Sequence, residues 1–371
     1  SYLFRKRSSK NAARLLNFLS NKAFSPRQAD WMDKKLNRKE LVRTMERLGK
    51  NKSPGPDGIP AEFYREFSRV VADELLRVYN EMYEEGALEG SFREGEIAFL
   101  YKKGDARDMR NYRPITLLNC DYKILTKILT ARLKNNINTI ASAQQNGFVP
   151  KRSIFDNLYL SKLLQAYIDE VDDEGLMIFL DIEKAFDSVS WNYLHEALIA
   201  TGVGAGYRRW IHMMYDETNA PRRRVKGNGE KGEWFDLASG VAQGCPLSPL
   251  LFIFITEGFT RAVLADEELK GVQVGDHEIR IAHFADDTTF YLRGWAQLRR
   301  MWQLLDEWGD ATGLRCNRSK TEGLRMGALR KQNDSSAEAS EIKWVKNGEW
   351  IRTLGIPIGC LLYTSPSPRD Q

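Results

Sequence analysis

Three aspartates occur where a phosphoryl-transfer centre would need acidic oxygen ligands. Asp181 ends the apolar run L-M-I-F-L, and Asp286 and Asp287 follow the run I-A-H-F-A. Carboxylates beside buried residues lose hydration free energy unless a cation compensates them. Mg²⁺ prefers oxygen ligands, and two such ions can hold the attacking and the leaving oxygen of an in-line phosphoryl transfer. The aspartates are therefore a candidate two-metal site, although an Asp-Asp pair alone is more often a plain hairpin tip.

Two kinds of element must position these carboxylates. Residues 176–180 are a short apolar run, which predicts a buried strand with Asp181 at its tip. Residues 279–292 predict a hairpin, and we place its turn at Asp286–Asp287. The apolar stretch 247–265 is interrupted by Glu257 and Arg261, which predicts a buried helix and no membrane span.

Further motifs stand in a fixed order around these aspartates. They are S-P-G-P-D-G from Ser53, N-Y-R-P-I-T-L-L-N from Asn111, Q-Q-N-G-F-V-P-K-R-S-I-F-D-N from Gln144, F-L-D-I-E-K-A-F-D-S-V around Asp181, G-V-A-Q-G-C-P-L-S-P-L-L-F from Gly240, F-A-D-D from Phe284, G-L-R-C-N-R-S-K-T from Gly313 and T-L-G-I-P from Thr353. This series resembles the successive blocks of non-LTR (LINE-type) retrotransposon reverse transcriptases over roughly residues 50–359. Because all of these blocks keep their order, a chance match is very improbable.

The resemblance implies an α+β fold, the right-hand polymerase, with an antiparallel-sheet palm and fingers built from helices and hairpins. It places the fingers at residues 51–175 and the palm with the start of the primer grip at residues 176–359. Residues 1–50 are a basic, mainly helical N-terminal extension. The thumb of the family would begin just after T-L-G-I-P and is missing. Residues 360–371, C-L-L-Y-T-S-P-S-P-R-D-Q, depart from the family pattern and are expected to be a non-native tail.

The resemblance also implies a role for each residue that matches a family motif. The implied metal ligands are Asp181, Asp286, Asp287 and the carbonyl of Ile182. The residues implied to contact the incoming nucleotide are Lys103, Arg113, Phe186, Gln243, Gly244 and Lys320. Those implied to contact primer or template are Arg152 and, where the primer-grip hairpin begins, Leu354, Gly355 and Ile356. The implied cofactors are two Mg²⁺ ions, with Mn²⁺ as an alternative, and the implied partners are an RNA template, a DNA primer and deoxynucleoside triphosphates.

Each implied role has a chemical reason and a plainer alternative. Arg113 offers a planar fork to phosphate oxygens, and Phe186 could lie under the sugar, where a ribose 2′-hydroxyl would find no hydrogen-bond partner. Phe186 could equally be a core aromatic, and Lys320 an ordinary exposed charge. Gly244 lets backbone approach a base pair, or merely shapes a helix entry. Arg152 could instead form a weak surface pair with Asp156.

Composition agrees with a globular protein that handles a polyanion. The 371 residues are 42% hydrophobic and 28% charged, with a net charge of +5. Basic residues cluster at Arg5–Arg7, Lys102–Lys103 and Arg222–Arg224, although such clusters are often only solvated surface. The cysteines form no C-x-x-C pair, so we expect neither zinc nor disulfides and an intracellular protein of cytoplasm and nucleus. The oligomeric state stays open.

Other functions compete with RNA-templated DNA synthesis during retrotransposition. A group II intron-type reverse transcriptase with a maturase role shares the palm motifs. A degenerate palm that survives only as an RNA-binding module is a non-enzymatic alternative, which loss of an aspartate would favour; all three are present. A viral RNA polymerase is a third alternative. The aromatic Phe186 argues against it, because such an enzyme must admit the 2′-hydroxyl.

Overall fold

The computed structural model of the chain describes residues 9–227, 229–332, 334, 336–346 and 348–359. The chain divides into two compact units. Unit 1 comprises Ser1–Phe18, Ala141–Ala185 and Thr256–Gln371, and unit 2 comprises Leu19–Ile140 and Phe186–Ile255. The expected non-native tail at 360–371 and the basic cluster Arg5–Arg7 lie outside the described residues. The division into fingers and palm at residue 175 stays a prediction.

The described part of the chain is a mixture of helices and strands, as the α+β prediction requires. The helices are α1 Ser9–Ser20, α2 Pro26–Asp33, α3 Arg38–Glu46, α4 Ala61–Glu66, α5 Ser68–Glu85, α6 Cys120–Lys134, α7 Ile154–Val171, α8 Trp191–Ala200, α9 Ala205–Met214, α10 Ser248–Ala265, α11 Leu298–Thr312 and α12 Ala337–Ser340. The strands are β1 Glu94–Tyr101, β2 Tyr112–Leu118, β3 Glu174–Leu180, β4 Ile182–Glu183, β5 Arg222–Gly227, β6 Glu230–Lys231, β7 Phe235–Asp236, β8 Val272–Val274, β9 His277–Ile279, β10 Ile281–Phe284, β11 Asp287–Leu292, β12 Arg315–Cys316, β13 Glu322–Gly327, β14 Lys343–Trp344, β15 Trp350–Thr353 and β16 Ile356–Gly359.

Unit 1 is built around a five-stranded sheet in the order β10-β11-β3-β13-β14. Strand β3 lies between β11 and β13 and pairs antiparallel with both. Residues 175–180 of β3 are all buried, which explains an apolar run without alternation. Helix α7 contributes Leu164 and Ile168 to the same core. The predicted buried strand ending at Asp181 is confirmed.

Unit 2 holds a second sheet in the order β2-β1-β5-β6, with β7 also paired to β5. A buried Glu96 side chain on β1 receives ion pairs from Arg224, Lys226 and Lys231. Burial alone would raise the pKa of Glu96, but the hydrogen bonds from these three cations lower that pKa to about 2. The cluster is a structural anchor between neighbouring strands.

Helix α10 contributes to both units and is long and apolar enough to span a membrane by length and composition. In the protein, 78% of that stretch is buried, in agreement with the predicted buried helix. Among the described residues, the cysteines Cys120, Cys245 and Cys316 are free thiols. The prediction that residues 1–50 are mainly helical is confirmed for the part described, which contains α1, α2 and α3.

Candidate active site

The register of β3 and β11 sets Asp181 and Asp287 against each other in unit 1. Leu180 pairs with Thr288 in this antiparallel ladder. Continuing this register by one residue brings Asp181, which directly follows β3, opposite Asp287, the first residue of β11. Side chains at opposite positions lie on the same face of a sheet. Residues directly opposite each other in an antiparallel pair have Cβ atoms about 4.5–5.5 Å apart. This is the spacing at which two carboxylates can share a cation.

The hairpin that carries the other two aspartates turns one residue earlier than predicted. Phe284 pairs with Asp287, so the two-residue turn is Ala285–Asp286 and Asp287 already belongs to β11. The predicted turn at Asp286–Asp287 is wrong by one position. The correction matters because strand pairing orients Asp287, whereas a turn residue would be oriented only by the loop.

The turn itself adopts an unusual backbone conformation. Ala285 has a φ of +60°, a left-handed value that is usual for glycine and costly for other residues. Positive φ at the first turn residue is the pattern of type II′ turns, which normally carry glycine there. Ala285 is buried, so packing and hydrogen bonds around it must hold this conformation.

Like charges crowd the carboxyl group of Asp287. Burial, followed by the charges of Asp286 and Asp181, raises the pKa of Asp287 to about 6. Averaged over the whole residue Asp287 is exposed, so the burial and the repulsion by like charges act on its carboxyl group alone. Within the described residues no salt bridge reaches Asp181 or Asp287. Hard oxygen donors with excess negative charge are suited to a divalent cation.

The carbonyl of Ile182 is also available on this edge. Cys316 of β12 pairs with Ile182 of β4, and the Asn317 N–H donates to the Asp181 carbonyl at 2.7 Å. Hydrogen-bonded and non-bonded positions alternate in an antiparallel pair, so the Ile182 carbonyl points away from β12. In the part of the chain that the structure describes, no three acidic, His or Cys side chains converge into a complete metal site. The full ligand set stays a prediction.

We predict that replacing Asp287 with asparagine stabilises the metal-free protein, although Asp287 is a predicted catalytic residue. Directly opposite like charges destabilise a strand pair, so Asp287→Asn will raise the free energy of unfolding in metal-free buffer by roughly 0.2–1 kcal/mol. Thermal unfolding with a chelator present measures this. We expect Mg²⁺ to raise the melting temperature of the wild type and to have less effect on Asp287→Asn. A less stable Asp287→Asn in chelator would contradict the charge repulsion.

Phe186 lies in unit 2, where its ring stacks on Phe252 with centroids 5.0 Å apart and planes 17° apart. Its backbone carbonyl accepts a hydrogen bond of 2.7 Å from Val241 N–H, in the G-V-A-Q-G motif. Phe252 is buried, while Phe186 remains half-buried. Phe186 therefore has the stacking partner that a core aromatic would have, and it also keeps the exposed surface that contact with a sugar would need.

Gln243 and Gly244 pack on the backbone of β2 in the same unit. The Gln243 carbonyl accepts from Thr116 N–H at 2.8 Å. Gly244 has a φ of +119°, and a Cβ there would lie 2.6 Å from the Thr116 carbonyl oxygen. The close approach that requires glycine is thus to the protein's own strand. The predicted approach of Gly244 to a base pair stays a prediction.

Lys103 and Arg113 lie at one end of the β1–β2 hairpin in unit 2. Arg113 is paired with Leu100, and Lys103 follows β1 in the connecting loop. Both side chains are exposed, and neither makes a hydrogen bond or ion pair with the described residues. Two exposed cations at a hairpin end are suitable for phosphate binding.

The remaining predicted residues belong to unit 1. Lys320 is exposed in the short helical turn after Asn317. The guanidinium of Arg152 donates to the carbonyls of Ala141, Ser142 and Gln145. These bonds describe a loop anchor, and the contact of Arg152 with nucleic acid stays a prediction.

The predicted start of the primer grip is a tight hairpin. Thr353 pairs with Ile356, which leaves Leu354 and Gly355 as a two-residue turn. Both have positive φ, +50° and +85°, the pattern of a type I′ turn. The hairpin packs on α7, where Gln165 donates to the Gly359 carbonyl at 2.8 Å.

The family model described as reverse transcriptase (RNA-dependent DNA polymerase) matches residues 101–358. The chain belongs to this family. Membership implies the palm-and-fingers polymerase fold and divalent metal chemistry, and it excludes the viral RNA polymerase alternative. Every site residue predicted above, from Lys103 to Ile356, lies inside the matched range of the reverse transcriptase family.

The relatives of this chain come from transposable elements. It is 32% identical to the transposon TX1 uncharacterized 149 kDa protein of Xenopus laevis over 82% of this chain and 23% of that protein. It is 29% identical to the Pol polyprotein of the type-2 retrotransposable element R2DM of Drosophila melanogaster over 84% of this chain and 29% of that protein. The chain thus spans roughly a quarter of each relative. These matches confirm the non-LTR retrotransposon lineage over the group II intron alternative.

Proposed function

We propose that this chain is the fingers-and-palm part of an RNA-directed DNA polymerase that copies RNA into DNA during retrotransposition. The carrying observation is that Asp181 directly follows β3 and Asp287 begins β11, which pairs with β3, while Asp286 lies in the turn before β11. The family match over residues 101–358 supports the reaction class. In this proposal residues 51–175 are the fingers and residues 176–359 are the palm of a right-hand polymerase.

The aspartates and the Ile182 carbonyl would hold two Mg²⁺ ions. When bound, these ions supply the charge neutralisation and hydroxyl activation of two-metal nucleotidyl transfer. The chain's own side chains bind and orient the substrate. Lys103 and Arg113 hold the triphosphate, and Lys320 neutralises the pyrophosphate that leaves. Phe186, Gln243 and Gly244 line the pocket of sugar and base.

Primer extension on an RNA template tests this proposal. A chain of this sequence, extended to the length of its relatives, is given a DNA primer on RNA, deoxynucleoside triphosphates and Mg²⁺. We expect template-directed DNA synthesis that stops when a chelator is added. Absence of incorporation on any RNA–primer pair, by a protein that is folded and binds the duplex, would overturn the proposed activity.

Binding of an RNA–DNA duplex by the 371-residue chain gives a separate prediction. Two cations of one basic cluster have internal roles, because Arg224 binds Glu96 and Arg223 binds the Arg93 carbonyl. Exposed cations such as Lys103 and Arg113 remain for phosphates. We expect weak binding whose log affinity falls with log salt by about 0.7–0.9 per phosphate contacted. Fluorescence anisotropy across a salt series measures the slope, and an affinity independent of salt would contradict it.

A further inference from the structure

The loop Gln144–Gly147 lies against the hairpin that carries two of the predicted metal ligands, all within unit 1. Asn146 N–H donates to the His283 carbonyl at 2.9 Å, and His283 N–H donates to the Gln144 carbonyl at 2.8 Å. This places a short parallel bridge beside β10. The loop is in turn anchored by Arg152, whose guanidinium binds the Gln145 carbonyl at 2.6 Å.

The Gln145 side chain makes the decisive contact. Its residue is only 1% exposed. The side-chain oxygen accepts from Ala285 N–H at 3.1 Å and from Gly147 N–H at 2.8 Å. Its amide nitrogen donates toward the Thr256 hydroxyl at 3.5 Å. The Gln145 side-chain oxygen thus accepts hydrogen bonds from the backbone N–H of the turn residue Ala285 and from that of Gly147 in its own loop.

Gly147 completes the contact from the other side. A Cβ at Gly147 would lie 2.2 Å from the Ala285 nitrogen. No side chain fits at Gly147, and the backbone of the loop therefore packs directly against the backbone of Ala285. Ala285 immediately precedes Asp286, and a change in its φ would rotate the carboxylates that follow it.

We propose that Gln145 is a positioning residue that holds Ala285 in its left-handed conformation and thereby aims Asp286 and Asp287. The inference rests on the proposed function, since it assigns Gln145 a role in metal binding by those aspartates. It explains how an alanine can occupy a turn position that normally requires glycine. Gln145 touches neither substrate nor metal in this role and acts through Ala285.

The first test measures metal binding by the 371-residue chain itself. Gln145→Leu keeps a buried side chain of similar size and removes the acceptor for Ala285 N–H. We expect Mn²⁺ affinity, measured by electron paramagnetic resonance titration, to fall about 10- to 100-fold, the range typical of residues that orient metal ligands. The matched control is Gln144→Leu, because the neighbouring Gln144 side chain makes no hydrogen bond with the described residues. Gln144→Leu is expected to bind Mn²⁺ like the wild type.

The second test is rescue by relief of the strain. Ala285→Gly lets the turn adopt positive φ without external support, so we expect the double variant Gln145→Leu/Ala285→Gly to regain much of the lost Mn²⁺ affinity. A purely structural role for Gln145 predicts a lower melting temperature, an unchanged Mn²⁺ affinity in the folded fraction and no such rescue. If Gln145→Leu does not fold, Gln145→Met takes its place, since its unbranched side chain fills a similar volume without the carbonyl acceptor.

The outcomes separate this inference from the proposed function. Wild type that binds no Mn²⁺ and extends no primer would overturn both. Wild type that binds Mn²⁺, with Gln145→Leu equal to Gln144→Leu in affinity, would overturn the positioning role alone. In the extended protein, the positioning role also predicts that Gln145→Leu needs a higher Mg²⁺ concentration for half-maximal extension, while KM for the deoxynucleotide changes little.

Discussion

Asp286→Ala will reduce primer extension by at least about 100- to 1000-fold in a protein extended to the length of its relatives. Removing one preorganised charge-stabilising group from a reaction centre typically costs this much. Asp286 lies in the two-residue turn between β10 and β11, directly before Asp287, the first residue of the strand that pairs with β3. Alanine preserves the turn length, so the strand register that orients Asp287 should survive.

The measurement is the single-turnover rate of adding one nucleotide at saturating primer–template. Asp276→Ala is the matched control, because Asp276 is an exposed aspartate between β8 and β9 in the same unit and makes no hydrogen bond or ion pair with the described residues. We expect Asp276→Ala to extend primers at the wild-type rate. An Asp286→Ala protein that also did so would refute the metal assignment for this turn.

Phe186→Val will change the choice between ribo- and deoxynucleotides. If the ring lies against the sugar, an incoming 2′-hydroxyl is buried without a partner, at a cost of about 1–3 kcal/mol, or roughly 5- to 150-fold. Valine opens that space. We therefore expect the ratio of kcat/KM for a ribonucleotide to that for the matching deoxynucleotide to rise by about this factor, with much of the deoxynucleotide activity kept.

The stacking of Phe186 on Phe252 makes the competing explanation testable. An aromatic pair contributes about 0.5–1.5 kcal/mol beyond its buried area, so Phe186→Val will also lower the stability of unit 2. A core role alone predicts that both activities fall together with an unchanged ratio. Phe254→Val is the control for lost packing, since Phe254 is fully buried and contacts Phe24. We expect it to lower stability without changing the ratio.

The sequence by itself determined the family, the α+β class and the elements that carry the aspartates. The apolar run before Asp181 predicted β3 because a strand that is buried on both faces has no alternating polar residues. The ordered motifs identified the reverse transcriptase lineage because each motif is a short stretch of sequence that can be read without knowing the fold. The motif T-L-G-I-P likewise marked the segment in which the structure has a hairpin turn at Leu354–Gly355, and its role as the start of the primer grip stays a prediction.

Tertiary structure alone decided which donors meet which acceptors. The pairing of Phe284 with Asp287 places the hairpin turn at Ala285–Asp286, whereas the sequence pattern predicted it one residue too late. Arg152 and Arg224 look alike as surface cations, yet both are bound within the fold. Gln145 lies 140 positions from Ala285. Whether a glutamine side chain is buried or exposed depends on the residues that folding brings next to it, and those residues lie far away in the sequence.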